Sequence, residues 1–215
     1  MTILPTESGR YNEDGSFTFN MSIRFSHYSE KLPEESIDEI IQQACSLWSD
    51  ASNLKFTKKD SGRVHIDISF VSGDHSQSDG QGGYLARTYF PKAGGDIYID
   101  DAENWTFNTT LRLYIENILL ATVTHELGHA LGINHSIKPS ALMYPYDNIT
   151  VDMLMVLGSV EVKLDEDDIQ AIQSLYGKPG LPRPQYEEVN EIDIVLGNRR
   201  YSDDQVIEKK TQFQF

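Results

Sequence analysis

At 215 residues, with 39% hydrophobic and 24% charged side chains, the chain has the size and composition of one globular domain with some length to spare. Its net charge of −15 disfavours nucleic acid and anionic membrane surfaces as partners. Cys45 is the single cysteine, which excludes an internal disulfide; no apolar run approaches a membrane span, and the opening Met1 to Glu7 lacks the apolar h-region of a signal peptide.

Phe17, Phe19, Met21, Ile23 and Phe25 alternate with polar residues, which predicts a half-buried strand. Pro33 as a first-turn residue, followed by Glu34 and Glu35, opens an amphipathic helix to about Asp50, with its stripe on Ile37, Ile40, Ile41, Ala44, Leu47 and Trp48. Cys45 falls beside that stripe and is expected in the core or at its boundary. Val64, Ile66, Ile68 and Phe70 predict a second strand with His65 on its outer face, expected at the surface; His27 stands isolated and has no assigned role. A polar loop over 72–83 precedes two short strands, 84–90 and 96–100, joined through Pro91 to Gly95. A helical pattern runs from about Thr110 through Leu113, Ile118, Leu119 and Val123. Asp165 to Asp168 gives a last helix its acidic first turn, Ile169, Ile172, Leu175 and Tyr176 its apolar face, and Gly177 its stop. This mixed order of strands and helices indicates an α+β or α/β domain with a single sheet over residues 1–177. Pro179, Pro182 and Pro184 mark a linker, and residues 178–215 are expected to be a tail with no domain of their own.

The stretch from His125 to His135 reads H-E-x-x-H-x-x-G-x-x-H. Four residues make about one helical turn, so His125 and His129 share a face and can converge on one ion. Glu126 follows the first ligand directly, so it points beside the metal and is placed to take a proton from water. Gly132 can adopt the positive φ that ends the helix and turns the chain back, bringing His135 in as third ligand. Three nitrogens leave one position open, as in a catalytic zinc site.

These residues resemble the matrixins, or matrix metalloproteinases, of the metzincin clan. Ser136 directly after the third histidine matches the matrixin choice, where astacins and reprolysins carry an acid. Ala141 to Pro145 resembles the matrixin Met-turn, with Met143 beneath the zinc ligands, and 164–177 resembles the closing helix. The segment from Gly95 to Trp105 resembles the family's calcium-binding strand and loop. The likeness spans about Tyr11 to Gly177 and implies an α+β catalytic domain: a twisted, mostly parallel sheet, three helices and a zinc cleft. It implies a zinc endopeptidase in which His125, His129 and His135 hold the ion and Glu126 is the general base. Substrate would lie extended along the strand near 84–90, with Tyr84, Leu85, Ala86, Pro145 and Tyr146 lining the site. Asp79 and Glu103 with Asp100, and the carbonyls of Gly80, Gly82 and Tyr84, match one calcium site. Asp96 and the Gly94 carbonyl match part of a second, where His65 replaces an aspartate. Of Asp167 and Asp168, which match the aspartate pair of the final helix, one would brace the Met-turn.

Departures from the family are equally specific. Of the ligands of its structural zinc only His75 is present; Gln77, Arg87 and Tyr98 stand at the other positions, and a permanent cation cannot ligate zinc, so that ion is expected to be absent. Between Pro145 and Leu164 the chain is several residues longer than usual, with a mostly apolar run from Val151 to Val160, and Asp147 stands where the family has its pocket-wall tyrosine. Cys45 lies in the first helix, so latency through a cysteine on zinc is not expected from it. Sequons occur at Asn20, Asn104, Asn108, Asn134 and Asn148, but a glycan on Asn134 would block the cleft. The resemblance implies a monomer outside the cell acting on protein or peptide substrates, open to a protein inhibitor in the cleft. Two alternatives are an astacin-like processing protease, disfavoured by Ser136, and a silent zinc-containing binding module, disfavoured by an intact Glu126.

Overall fold

The computed structural model describes residues 9–73, 78–105, 112–145, 161–182 and 207–210. The elements in chain order are β1 (Gly9–Tyr11), β2 (Phe17–His27), α1 (Glu34–Ala51), β3 (Leu54–Lys58), β4 (Ile66–Val71), β5 (Tyr84–Thr88), β6 (Ile97–Asp100), α2 (Arg112–Ala130), α3 (Glu166–Tyr176) and β7 (Ile207–Lys210). The strands form one sheet in the order β1-β2-β4-β6-β5-β7, with β3 also paired to β2. The central β3, β2, β4 and β6 run parallel, while β5 runs antiparallel to β6. This is the expected α+β domain with three helices.

Alternation places Phe17, Phe19, Met21 and Ile23 of β2 in the core, beside Ile66 and Ile68 of β4 and Ile97 and Ile99 of β6. Helix α1 buries Ile37, Ile40, Ile41, Ala44, Cys45 and Trp48. The fully buried Trp48 donates its indole N–H to the Thr124 carbonyl at 2.9 Å, tying α1 to α2. Side chains of this kind each contribute roughly 1.5–3 kcal/mol of burial free energy, so the core fixes α2 firmly. Helix α3 closes the domain: Asp165 and Asp168 form its capping box, and the Tyr176 hydroxyl donates to the Leu131 carbonyl at 2.8 Å.

Several boundaries differ from the sequence pattern. Pro33 is the N-cap of α1, not its first turn, because its ψ of 134° is extended. Strand β4 starts at Ile66, two residues after Val64, and β5 stops at Thr88 because a 3-10 turn begins at Pro91. His65 is not a surface residue. It is half-buried, and the Ser22 N–H donates to its Nδ1 at 3.0 Å; burial, with Lys59 and Arg63 nearby, holds its pKa down. The tail also joins the domain in part: the Phe17 N–H donates to the Leu181 carbonyl at 3.1 Å, and residues 207–210 pair with β5 as β7. Among the described residues no helix is long and apolar enough to cross a membrane.

Candidate metal centre

The second half of α2 is buried on all sides: His125, Glu126, Leu127 and His129 are fully enclosed. Each buried imidazole is oriented by a backbone carbonyl. His125 Nδ1 lies 2.7 Å from the Leu142 oxygen, and His129 Nδ1 lies 2.7 Å from the Ile133 oxygen. A carbonyl oxygen only accepts, so in both rings the proton sits on Nδ1 and Nε2 presents a lone pair. The two Nε2 atoms stand 3.0 Å apart, near the roughly 3.3 Å edge of a tetrahedral zinc shell.

Gly132 takes a φ of +99°, and the chain returns with the Ile133 N–H bonded to the Gly128 carbonyl at 2.8 Å. This brings His135 over the pair, its ring centroid 5.2 Å from that of His125 and 4.6 Å from that of His129. One ligand atom from each of the three lies within 4.8 Å of the others. Three converging imidazoles, two of them with tautomers fixed from behind, suit zinc, and they are the His/Cys/Asp/Glu group that the described residues bring close enough to share a metal.

The floor of the site is built from the turn at 141–145. Met143 is buried, and the Ser136 N–H donates to its carbonyl at 2.8 Å. Asp168 accepts from the Leu142 N–H at 2.7 Å, the Met143 N–H at 3.0 Å and the Asp165 N–H at 2.8 Å. Leu142 is thus held by α3 through its N–H and holds His125 through its C=O. Burial pushes the Asp168 carboxyl up, and the three N–H groups pull it back. Phe90, just beyond β5, meets His129 edge-on at 5.9 Å between centroids, which sets the sheet against the histidines.

A family profile described as matrixin matches residues 12–177, more than three quarters of the chain. The chain belongs to the matrixin family. It is 41% identical over 163 residues to interstitial collagenase of Equus caballus, covering 74% of this chain and 32% of that protein. Stromelysin-1 of Mus musculus is 37% identical over 165 residues, with 74% and 32% covered, and macrophage metalloelastase of Rattus norvegicus 39% over 166, with 74% and 33%. The chain therefore spans about a third of the length of the relatives it matches. Matrixins use catalytic zinc and calcium, and all three histidines of the cluster lie in the matched segment.

Other positions of the matrixin pattern fall as follows. Asp100 is buried and accepts from the Ser78 hydroxyl and from the N–H groups of Asp79, Gly80 and Ala102. Glu103 accepts from the Gly82 and Gly83 N–H groups, and Asp79 from that of Tyr84. The loop before β5 is therefore bonded to Asp100 at the end of β6 and to Glu103 just beyond it, with N–H groups turned to the carboxylates. At the partial second site, Asp96 accepts from the Asp67 N–H at 3.3 Å, and Arg24 pairs with Asp67. A guanidinium thus lies in the corner where His65 replaces an acid. The positions of Arg87 and Tyr98, which the family uses for structural zinc, face each other across β5 and β6; Arg87 stacks over Tyr84 at 4.7 Å and Tyr98 packs edge-on against Tyr89 at 6.0 Å. His75, Gln77, Tyr146, Asp147 and the apolar run 151–160 lie outside the described residues. Leu85 and Ala86 bury their side chains, so toward a substrate they can offer backbone only. Pro145 and Tyr84 are partly exposed.

Three contributors carry no motif signal of their own: the Leu142 and Ile133 carbonyls, and Gly128. A carbonyl is present at every position, so its role appears only once the chain is folded. Gly128 does leave a trace, because glycine inside a helix costs about 1 kcal/mol against alanine and asks for a packing reason.

Proposed function

We propose that residues 1–177 form the catalytic domain of a zinc-dependent endopeptidase that hydrolyses peptide bonds in extended protein segments outside the cell. One observation carries this conclusion: three imidazoles converge, those of His125 and His129 with their tautomers fixed, and the buried Glu126 directly follows the first of them. His125, His129 and His135 would hold the ion. When bound, zinc supplies Lewis-acid polarisation of the scissile carbonyl and acidifies water. Glu126 takes the proton of the attacking water and passes it to the leaving amine.

Substrate pairs in an extended form with β5, with Tyr84 and Pro145 beside it. Supporting this, β5 lies against α2 and its continuation reaches His129 through Phe90. The loop carboxylates Asp79, Asp100 and Glu103, with carbonyls of Gly80, Gly82 and Tyr84, hold one calcium, a hard cation suited to oxygen donors. The domain acts as a monomer, and a protein inhibitor can occupy the same cleft.

Cleavage of a random peptide library, with and without a zinc chelator and beside Glu126→Gln, tests this function. Cuts are expected from the zinc-loaded protein, none after chelation, and a loss of 10²- to 10⁴-fold in Glu126→Gln with zinc content unchanged. Cleavage that survives both treatments would point to a different catalytic centre.

A further inference from the structure

The strand proposed to receive substrate already has a partner. β5 is hydrogen-bonded to β6 on one side, and β7, from the far end of the chain, covers the other. The pairing is antiparallel, with Thr88 opposite Ile207, Arg87 opposite Glu208, Ala86 opposite Lys209 and Tyr84 opposite Lys210, and an irregularity between Tyr84 and Ala86. Because the Leu85 and Ala86 side chains are buried, the outer edge of β5 offers a guest mainly its backbone N–H and C=O groups. A strand edge of this kind takes one guest at a time.

Resting on the endopeptidase conclusion above, we propose that residues 207–210 are an internal competitor, a strand of the protein's own tail that must leave β5 before an extended peptide can pair there. Residues 207–210 withhold the edge that aligns a substrate with the histidine cluster. Since it belongs to the same chain, it re-docks intramolecularly, and tethered partners commonly meet at effective concentrations on the order of 1 mM. Four residues of β pairing form a weak contact, so a good substrate displaces them. The signature is a raised KM with an unchanged kcat.

The test uses the full chain with Glu208→Pro and Lys209→Pro together. Successive residues of a strand turn their N–H groups to opposite sides, so one of the two prolines removes a bond to β5 whatever the parity. Lys209→Ala, which keeps the backbone N–H, is the control. Hydrogen exchange of the β5 amides reads the pairing, and steady-state cleavage of a short peptide reads the competition. The expected result is faster exchange within 84–88, a KM lower by roughly 3- to 10-fold and an unchanged kcat in the proline variant, with the control like the parent. Unchanged exchange would remove the pairing, and faster exchange with an unchanged KM would remove the competition. A tail found cut within 205–211 by mass spectrometry would make it a substrate and overturn its role as inhibitor. No cleavage by parent or variant, with exchange altered as expected, would instead take down the endopeptidase conclusion and the competition with it.

Discussion

Gly128 and Met143 are in contact so close that a single methyl group would not fit between them: a Cβ on Gly128 would lie 2.4 Å from Met143 Sδ and 3.1 Å from Trp48 Cζ2. The glycine lies between the two helical histidines, and the methionine lies on the turn whose Leu142 carbonyl orients His125. Gly128→Ala gains helix propensity of about 1 kcal/mol but must displace a buried side chain, at a cost typically of 1–3 kcal/mol. The expected result is a lower Tm and weaker zinc retention together. Gly128→Ala with Met143→Ala should recover part of both, because the second change vacates the space. A thermal melt and a zinc competition assay check this; a stable, zinc-tight Gly128→Ala would show that the turn yields freely.

Asp168 should matter to the metal although it touches none of the three histidines. Its carboxylate gathers the N–H groups of Leu142, Met143 and Asp165. In Asp168→Ala these donors lose their acceptor, each at a cost of about 1–3 kcal/mol if water does not replace it. The Leu142 carbonyl would then no longer be fixed behind His125. Zinc affinity is expected to fall about 10- to 100-fold, as for other groups that orient a metal ligand from behind. Zinc titration against a competing chelator measures it, and an unchanged affinity would mean the turn is held by packing alone.

What the sequence discloses depends on whether a role is carried by a side chain type or by a fold-wide arrangement. The three histidines, Glu126, Gly132 and Met143 are legible because their spacing repeats helix geometry and their chemistry is particular. The strands β2 and β4 are legible because core burial on one face enforces alternation. β3 is less so: Leu54–Lys58 is five residues with lysines at positions 55 and 58, and its place is set by parallel pairing with β2. β7 is shorter still, and its partner β5 is more than a hundred residues away, a relation local pattern cannot express. His65 illustrates the converse: its alternation predicts an outward face, yet it is half-buried and its Nδ1 is bonded by Ser22 on the neighbouring strand.

Acid stability should carry the mark of Asp165. Its carboxylate caps α3 by accepting from the Asp167 N–H and is joined by Lys138 and Ser140, which together hold its pKa at about 2. A folded-state value below the unfolded value of 3.8 means that the ionised form favours folding. That contribution is complete above about pH 4 and is lost as pH falls through about 2. Asp165→Asn retains a capping oxygen but not the charge. Its Tm is expected to lie below that of the parent at pH 5, with the difference closing by pH 2. A gap that stays constant across this range would assign the effect to the cap hydrogen bond and not to ionisation.

Calcium should stabilise the loop around Asp100 and Glu103. Asp79, before β5, and Asp100 and Glu103, at and just beyond the end of β6, accept from N–H and hydroxyl groups. Burial, and then the charges of Asp100 and Asp79, push the Glu103 carboxyl up, and a divalent cation relieves such repulsion. A ligand present at a hundred times its Kd adds about 2.7 kcal/mol to stability, which for a domain of this size raises Tm by roughly 5–10 °C. Calcium is expected to produce this rise at millimolar concentrations or below, with magnesium much less effective because it demands a tighter octahedral shell. Glu103→Gln keeps an oxygen facing the Gly82 and Gly83 N–H groups yet removes a charge, so it should melt near the parent without calcium and lose most of the calcium-dependent rise. Melts of both proteins in chelator, calcium and magnesium decide the matter: an equal calcium response in Glu103→Gln would move the cation elsewhere, and no response in either protein would leave this loop held by its own hydrogen bonds.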